Sequence, residues 1–254
     1  MNLKKLVEIM STLRAEDGCP WDREQTRESL KPFLIEETYE VIEAIDEGDS
    51  GKIKEELGDL LFQIIFHAQI GKEKGEFDIN DVIERSAQKM IARHPHVFGD
   101  EDCGSSEEVL KRWDDHKRKE GKLKDSILDG VPGSLPSLLR AHRLQERVSR
   151  VGFDWEKAED ILRKLDEEIS EFREALQNDS ADKVENELGD IFFVLVNISR
   201  FAGVDPENAL RRAIGKFVRR FRHIEMAADE KKMSLSEMSL NEMNELWESA
   251  KKGE

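Results

Sequence analysis

Hydrophobic residues recur along this chain every three or four positions rather than every second one, which is the period of an amphipathic helix. Leu34, Val41, Ile42 and Ile45 form one stripe, and Leu57, Leu60, Leu61, Ile64, Ile65 and Ala68 form the next, with the turn "EGDSG" between them. Alternating runs of Val, Ile or Thr are scarce and there is one tyrosine. The pattern predicts an all-α fold with four or five helices in each of two repeats.

The polar positions reveal the repeat. Residues 131 positions apart pair Glu36, Glu37, Glu40, Glu43, Glu56 and Asp59 with Glu167, Glu168, Glu171, Glu174, Glu187 and Asp190. Leu57, Gly58 and Phe62 also find their own type, at Leu188, Gly189 and Phe193, whereas Asp46, Glu47 and Glu55 become Gln177, Asn178 and Asn186. The comparison within one chain separates a retained acidic set from replaceable surface acids. Between the repeats, "KEGKLKDSILDGVPGSLPS" carries three glycines and two prolines. It predicts a domain at 1–120, a linker at 121–136 and a second domain at 137–254.

Glu37 and Glu40 are three apart, as are Glu56 and Asp59, so each pair shares a helix face. The turn lies midway between Glu40 and Asp59, so an antiparallel hairpin brings four carboxylates to one spot, and their repulsion asks for a cation. Oxygen-only ligands favour a hard ion, Mg²⁺ with Mn²⁺ as a substitute. The predicted metal ligands are Glu37, Glu40, Glu56 and Asp59 in the first repeat, and Glu168, Glu171, Glu187 and Asp190 in the second. The alternative for any single glutamate is a solvated helix face. A carboxylate-bridged di-iron bundle needs Glu-x-x-His, and none of the six histidines has a glutamate three residues before it.

Basic residues repeat as well. Lys89 and Arg93 are spaced i, i+4, as are Lys216 and Arg220 with Arg219 beside them. Such a face can grip phosphate oxygens that a metal leaves exposed, or simply form surface ion pairs. Lys52 and Lys183 are weaker phosphate candidates beside the turns. Trp21 and Trp113, with Trp155 and Trp247 in the second repeat, read as core anchors in preference to base-stacking platforms.

Composition narrows the partners. A formal net charge of −16 disfavours nucleic acid, whose affinity rests on Lys and Arg against phosphates. Two cysteines without a CxxC pair give neither a disulfide framework nor a zinc site. No apolar run of membrane-spanning length occurs and the first residues turn charged, so the expected location is cytoplasmic, without membrane partners.

"CPWDREQT" at 19–26, "EETYE" with "EELGD", and "RVGFDW", "EEISE" and "ENELGD" resemble the MazG-type nucleoside triphosphate pyrophosphohydrolases. The likeness covers nearly the whole chain, including its tandem organisation. It implies two MazG-like all-α domains, each with its metal site in the acidic hairpin, packed as a homodimer. It also implies Mg²⁺-dependent hydrolysis of nucleoside triphosphates of broad base range to monophosphate and pyrophosphate, with nucleotide-pool cleansing as the role. Catalysis would fall to Glu167, Glu168, Glu171, Glu187 and Asp190, with Glu167 or Glu168 orienting or deprotonating the water that attacks the α-phosphate. Lys216 and Arg220 would hold the triphosphate. The first repeat departs from the pattern at His94, Pro95 and His96, where the second has "FRH", and Pro95 should end the helix there. Two alternatives remain: a Mg-nucleotide-sensing scaffold without turnover, at least for the first domain, and a narrower dUTP- or alarmone-type pyrophosphohydrolase.

Overall fold

The computed structural model describes residues 2–99, 126–178 and 180–253; Cys103 and Trp113 lie outside them. The chain divides into two compact units, Met1–His116 and Lys117–Glu254. Among the described residues all regular structure is helical, with eleven α-helices, one 3₁₀ turn and no strand. No described helix is long and apolar enough to cross a membrane.

The N-terminal unit contains α1 (Leu3–Leu13), α2 (Pro20–Glu24), α3 (Lys31–Glu47), α4 (Ser50–Glu73), α5 (Ile79–Arg93) and α6 (Pro95–Phe98). It exceeds the expected four or five helices because Pro20 and Pro95 each open a short extra one, where a missing N–H costs nothing. The α3–α4 hairpin turns on two residues. Gly48 caps α3 in the left-handed region (φ 72°), and the Asp49 carboxylate accepts from the N–H groups of Gly51 and Lys52 to start α4. Helices α1 and α5 pack on α4, and Met10, Leu30, Ile65, Phe66 and Ile70 form the buried centre.

The predicted apolar stripes are only partly covered. Val41, Ile65 and Ala68 are buried, but Ile45, Leu57 and Ile64 are 56%, 50% and 40% exposed. Periodicity marks the apolar face, and the described helices of this unit leave part of it exposed.

The C-terminal unit contains α7 (Ser137–Ser149), α8 (Ala158–Asn178), α9 (Ala181–Phe201), α10 (Pro206–Glu230) and α11 (Leu240–Lys252). Helices α8 and α9 form the second hairpin, α7 packs on α9 and α10, and α11 packs on α10. Ile224, Ala228 and Met238 are buried there against Phe221, Leu246 and Trp247. Trp247 is thus the anchor the sequence suggested. Trp21 and Trp155 are not buried anchors, being 50% and 39% exposed.

Candidate metal centre

Each hairpin gathers acids at one level. In the N-terminal unit Glu37 of α3 meets Glu56 and Asp59 of α4, and in the C-terminal unit Glu168 and Glu171 of α8 meet Glu187 of α9. Within each set the carboxylate oxygens lie within 4.8 Å of one another. The i, i+3 spacing supplies two members from one helix, and the tight turn sets the third opposite them.

Three of the four expected acids therefore converge in each unit, and Glu40 and Asp190 fall outside these mutual sets. Glu40 still acts on its neighbours. Burial first, then Asp59 and Glu40, pushes the Glu37 carboxyl above its usual range. Burial followed by Glu40 and Asp59 does the same to Glu56. Glu171 is raised by burial and then by Glu168 and Glu187. Like charges held this close favour proton or metal binding. Glu36, Glu43 and Glu174 are exposed.

The second set contains a cation that the sequence reading missed. Lys164, one turn before the acidic pair, lies 2.8 Å from the buried Glu168 and 2.7 Å from the exposed Glu167. These hydrogen bonds raise the lysine's pKa. The signal was available in the repeat itself, because the residue 131 positions earlier is Phe33. One acidic set thus carries a built-in ammonium at a position where the other has a ring.

The basic residues occupy different settings in the two units. Lys216 and Arg219 are exposed near the middle of α10, and the Arg220 guanidinium lies 5.5 Å above the Trp247 ring. Lys183 is exposed in the first turn of α9. In the N-terminal unit Lys89 is half-buried and Arg93 is buried at the last position of α5. Helix α5 stops there, and His94 Nδ1 pairs with the Met90 carbonyl at 2.7 Å; α10 instead continues to Glu230.

The donors in both sets are carboxylate oxygens, which suits a hard divalent cation such as Mg²⁺ or Mn²⁺ and suits thiophilic ions poorly. The mutual proximity of the carboxylates in each set, and the lysine held against Glu168 in the second, suit a site for positive charge.

Comparison with known proteins agrees with this architecture. The pattern of the MazG nucleotide pyrophosphohydrolase domain matches residues 25–98 and again residues 156–225. The chain is 48% identical over 252 residues to a Thermotoga maritima protein named nucleoside triphosphate pyrophosphohydrolase/pyrophosphatase MazG, covering 99% of this chain and 96% of that one. It is 42% identical over 257 residues to the nucleoside triphosphate pyrophosphohydrolase of Escherichia coli K12, covering 99% and 98%. Among solved structures, a mazG-related protein from Thermotoga maritima matches at a TM-score of 0.40 and 31% identity, over 46% of this chain and 99% of that one.

Proposed function

The chain belongs to the MazG nucleotide pyrophosphohydrolase family, and we propose that it hydrolyses nucleoside triphosphates to the monophosphate and pyrophosphate at the acidic set of its C-terminal unit. The observation that carries this reading is the convergence of Glu168, Glu171 and Glu187 within 4.8 Å. Asp190, one turn beyond Glu187 on α9, completes the proposed ligand group, and Glu37, Glu40, Glu56 and Asp59 form its N-terminal counterpart.

A divalent cation held by these carboxylates, Mg²⁺ or Mn²⁺, supplies Lewis acidity toward the phosphate chain and a more acidic bound water. The chain's own residues do the rest. Lys216 and Arg220, with Arg219 beside them and Lys183 in the first turn of α9, offset the charge on the leaving pyrophosphate. Lys164, 2.8 Å from Glu168, holds that carboxylate in place. Glu167, paired with Lys164 and with a side chain 57% exposed, orients water and accepts its proton at a carboxylate oxygen.

In the N-terminal unit Lys89 and Arg93 stand at the end of a helix broken before Pro95, so the equivalent phosphate grip is weaker. That supports metal and nucleotide binding there with little turnover. Exposed Ile45, Leu57 and Ile64 in one unit and Phe192, Leu195 and Leu210 in the other support assembly as a homodimer, which sedimentation of the intact chain tests. A broad base range, a role in clearing nucleotide pools and a cytoplasmic location complete the reading.

The test is product identity. The intact chain with Mg²⁺ and each common nucleoside triphosphate should release monophosphate and pyrophosphate in equal amounts, and chelation with EDTA should stop the reaction. Orthophosphate as the first product, or turnover that survives chelation, would overturn the proposal.

A further inference from the structure

The two acidic sets match in their carboxylates and differ in what stands beside them. One turn before Glu168 lies Lys164, and one turn before Glu37 the same position holds Phe33. On the second helix of each hairpin, Val194 in the C-terminal unit takes the place of Gln63 in the N-terminal one.

These exchanges move charge. The Lys164 ammonium lies 2.8 Å from Glu168 and 2.7 Å from Glu167, and it acts on Glu171 as well. The chain thus supplies this set with a cation of its own. The Lys164 side chain is 33% exposed, and swinging away would forfeit two charge-assisted hydrogen bonds.

Among the described residues the N-terminal set has no such guest. Phe33 packs on the core of its unit, with the Trp21 ring edge-on at 5.8 Å. The Gln63 amide lies against Glu37 and carries no charge. Lys52 pulls on Glu56 less than Glu40, Asp59 or Glu55 push, and its ammonium is held 2.5 Å from Glu47.

Both sets suit a hard divalent cation, and the ammonium decides how readily each takes one alone. Mg²⁺ or Mn²⁺ entering the C-terminal set meets a positive charge a few ångströms away and competes with it for Glu168. Even screened as in water, an ammonium about 5 Å from a divalent ion weakens its binding by about tenfold. A triphosphate reverses that balance, because it brings negative charge and oxygens that fill the metal's octahedral shell.

We infer that the two units load their cations differently. The N-terminal set takes a free divalent ion without nucleotide, and the C-terminal set takes its ion together with the triphosphate, Lys164 holding the place until then. This rests on the reading of both acidic sets as metal sites. The consequence is a division of labour. An ion fastens the N-terminal hairpin, whose acids otherwise repel one another, while the C-terminal hairpin is held by its own lysine and kept for metal that arrives with substrate.

The experiment titrates the intact chain with Mn²⁺ in the absence of nucleotide and follows the free ion by electron paramagnetic resonance. The inference expects one tight class of site and a second weaker by about tenfold or more. Glu56→Gln should remove the tight class, and Glu187→Gln should leave it. Phe33→Lys should weaken the tight class by a similar factor, whereas Phe33→Met, which keeps apolar bulk without the charge, should not. Where circular dichroism shows that Phe33→Lys does not fold, Lys164→Met decides by drawing the two classes together. A second titration adds α,β-methylene ATP, which resists cleavage at the α–β bond, at a Mn²⁺ level that fills only the tight class. The analogue should bind wild type and Glu56→Gln but not Glu187→Gln. Loss of the tight class in Glu187→Gln, or two classes of equal affinity in the wild type, would overturn the inference and leave the metal sites standing. Mn²⁺ binding that neither glutamine variant alters would remove the metal reading itself, and the inference with it.

Discussion

Replacing Arg14 by methionine should destabilise the N-terminal unit and leave the C-terminal site untouched. The Arg14 side chain is 8% exposed and holds both oxygens of Glu73 through Nε and Nη2, at 2.7 to 3.1 Å. Its Nη1 donates to the carbonyls of Asp22 and Gln25, tying the C-terminal end of α2 to the end of α4. Hydrogen bonds involving a charged group contribute about 1.5–3 kcal/mol each. Glu73 is 35% exposed, so water replaces part of what it loses, and methionine retains the contact with Phe66. A net loss of about 3 kcal/mol follows. With a urea slope of about 2 kcal/mol per molar, the midpoint falls by about 1.5 M.

The assay is urea unfolding of the full chain followed by circular dichroism, where one transition should move and the other stay. The pH dependence adds a check on sign. Arg14 holds the Glu73 carboxyl below its usual range, so the stability from this pair is present above the unfolded pKa and is lost as pH falls through the lower folded one. The gap between wild type and Arg14→Met should therefore narrow in acid below about pH 4. A midpoint shift under about 0.3 M, or a gap that widens in acid, would refute the reasoning.

Other outcomes follow from the same structure. Ile224→Ala, at a site 3% exposed in the C-terminal core, should cost about 2–5 kcal/mol, read as a drop in the midpoint of the other urea transition. Lys164→Met removes the ammonium beside Glu168 and Glu167, so free Mn²⁺ should bind the C-terminal set more tightly in a titration followed by electron paramagnetic resonance; weaker binding would contradict the assignment. In the metal-free protein the raised pKa values of Glu37, Glu56 and Glu171 mean that their protonation favours the folded state at low pH, and that this contribution is lost as pH rises through those values. Mg²⁺ should therefore raise Tm more at pH 8 than at pH 5, and equal shifts would count against these carboxylates as its ligands.

Much of the architecture was legible because local rules and the repeat agree. The Gly48–Asp49 turn can be read from residue type, and the 131-residue offset separates the convergent acids from Asp46, Glu47 and Glu55. Helical spacing also shows which acids share a face. It does not show which members of two facing pairs come closest, and the sets formed are Glu37 with Glu56 and Asp59, and Glu168 and Glu171 with Glu187. The repeat marks positions that match, and Lys164, with Phe33 at the equivalent position, is one that differs. The exposure of Leu57, Ile64 and Trp155 depends on which elements cover a face. Hydrophobic period carries no such information.

The account turns on where pyrophosphate is made. The direct measurement is Mg²⁺-dependent pyrophosphate release from a nucleoside triphosphate panel by the intact chain, by Glu56→Gln and by Glu187→Gln, with folding checked by circular dichroism. The structure predicts that Glu187→Gln abolishes release while Glu56→Gln retains most of it. Full turnover by Glu187→Gln would contradict the central claim.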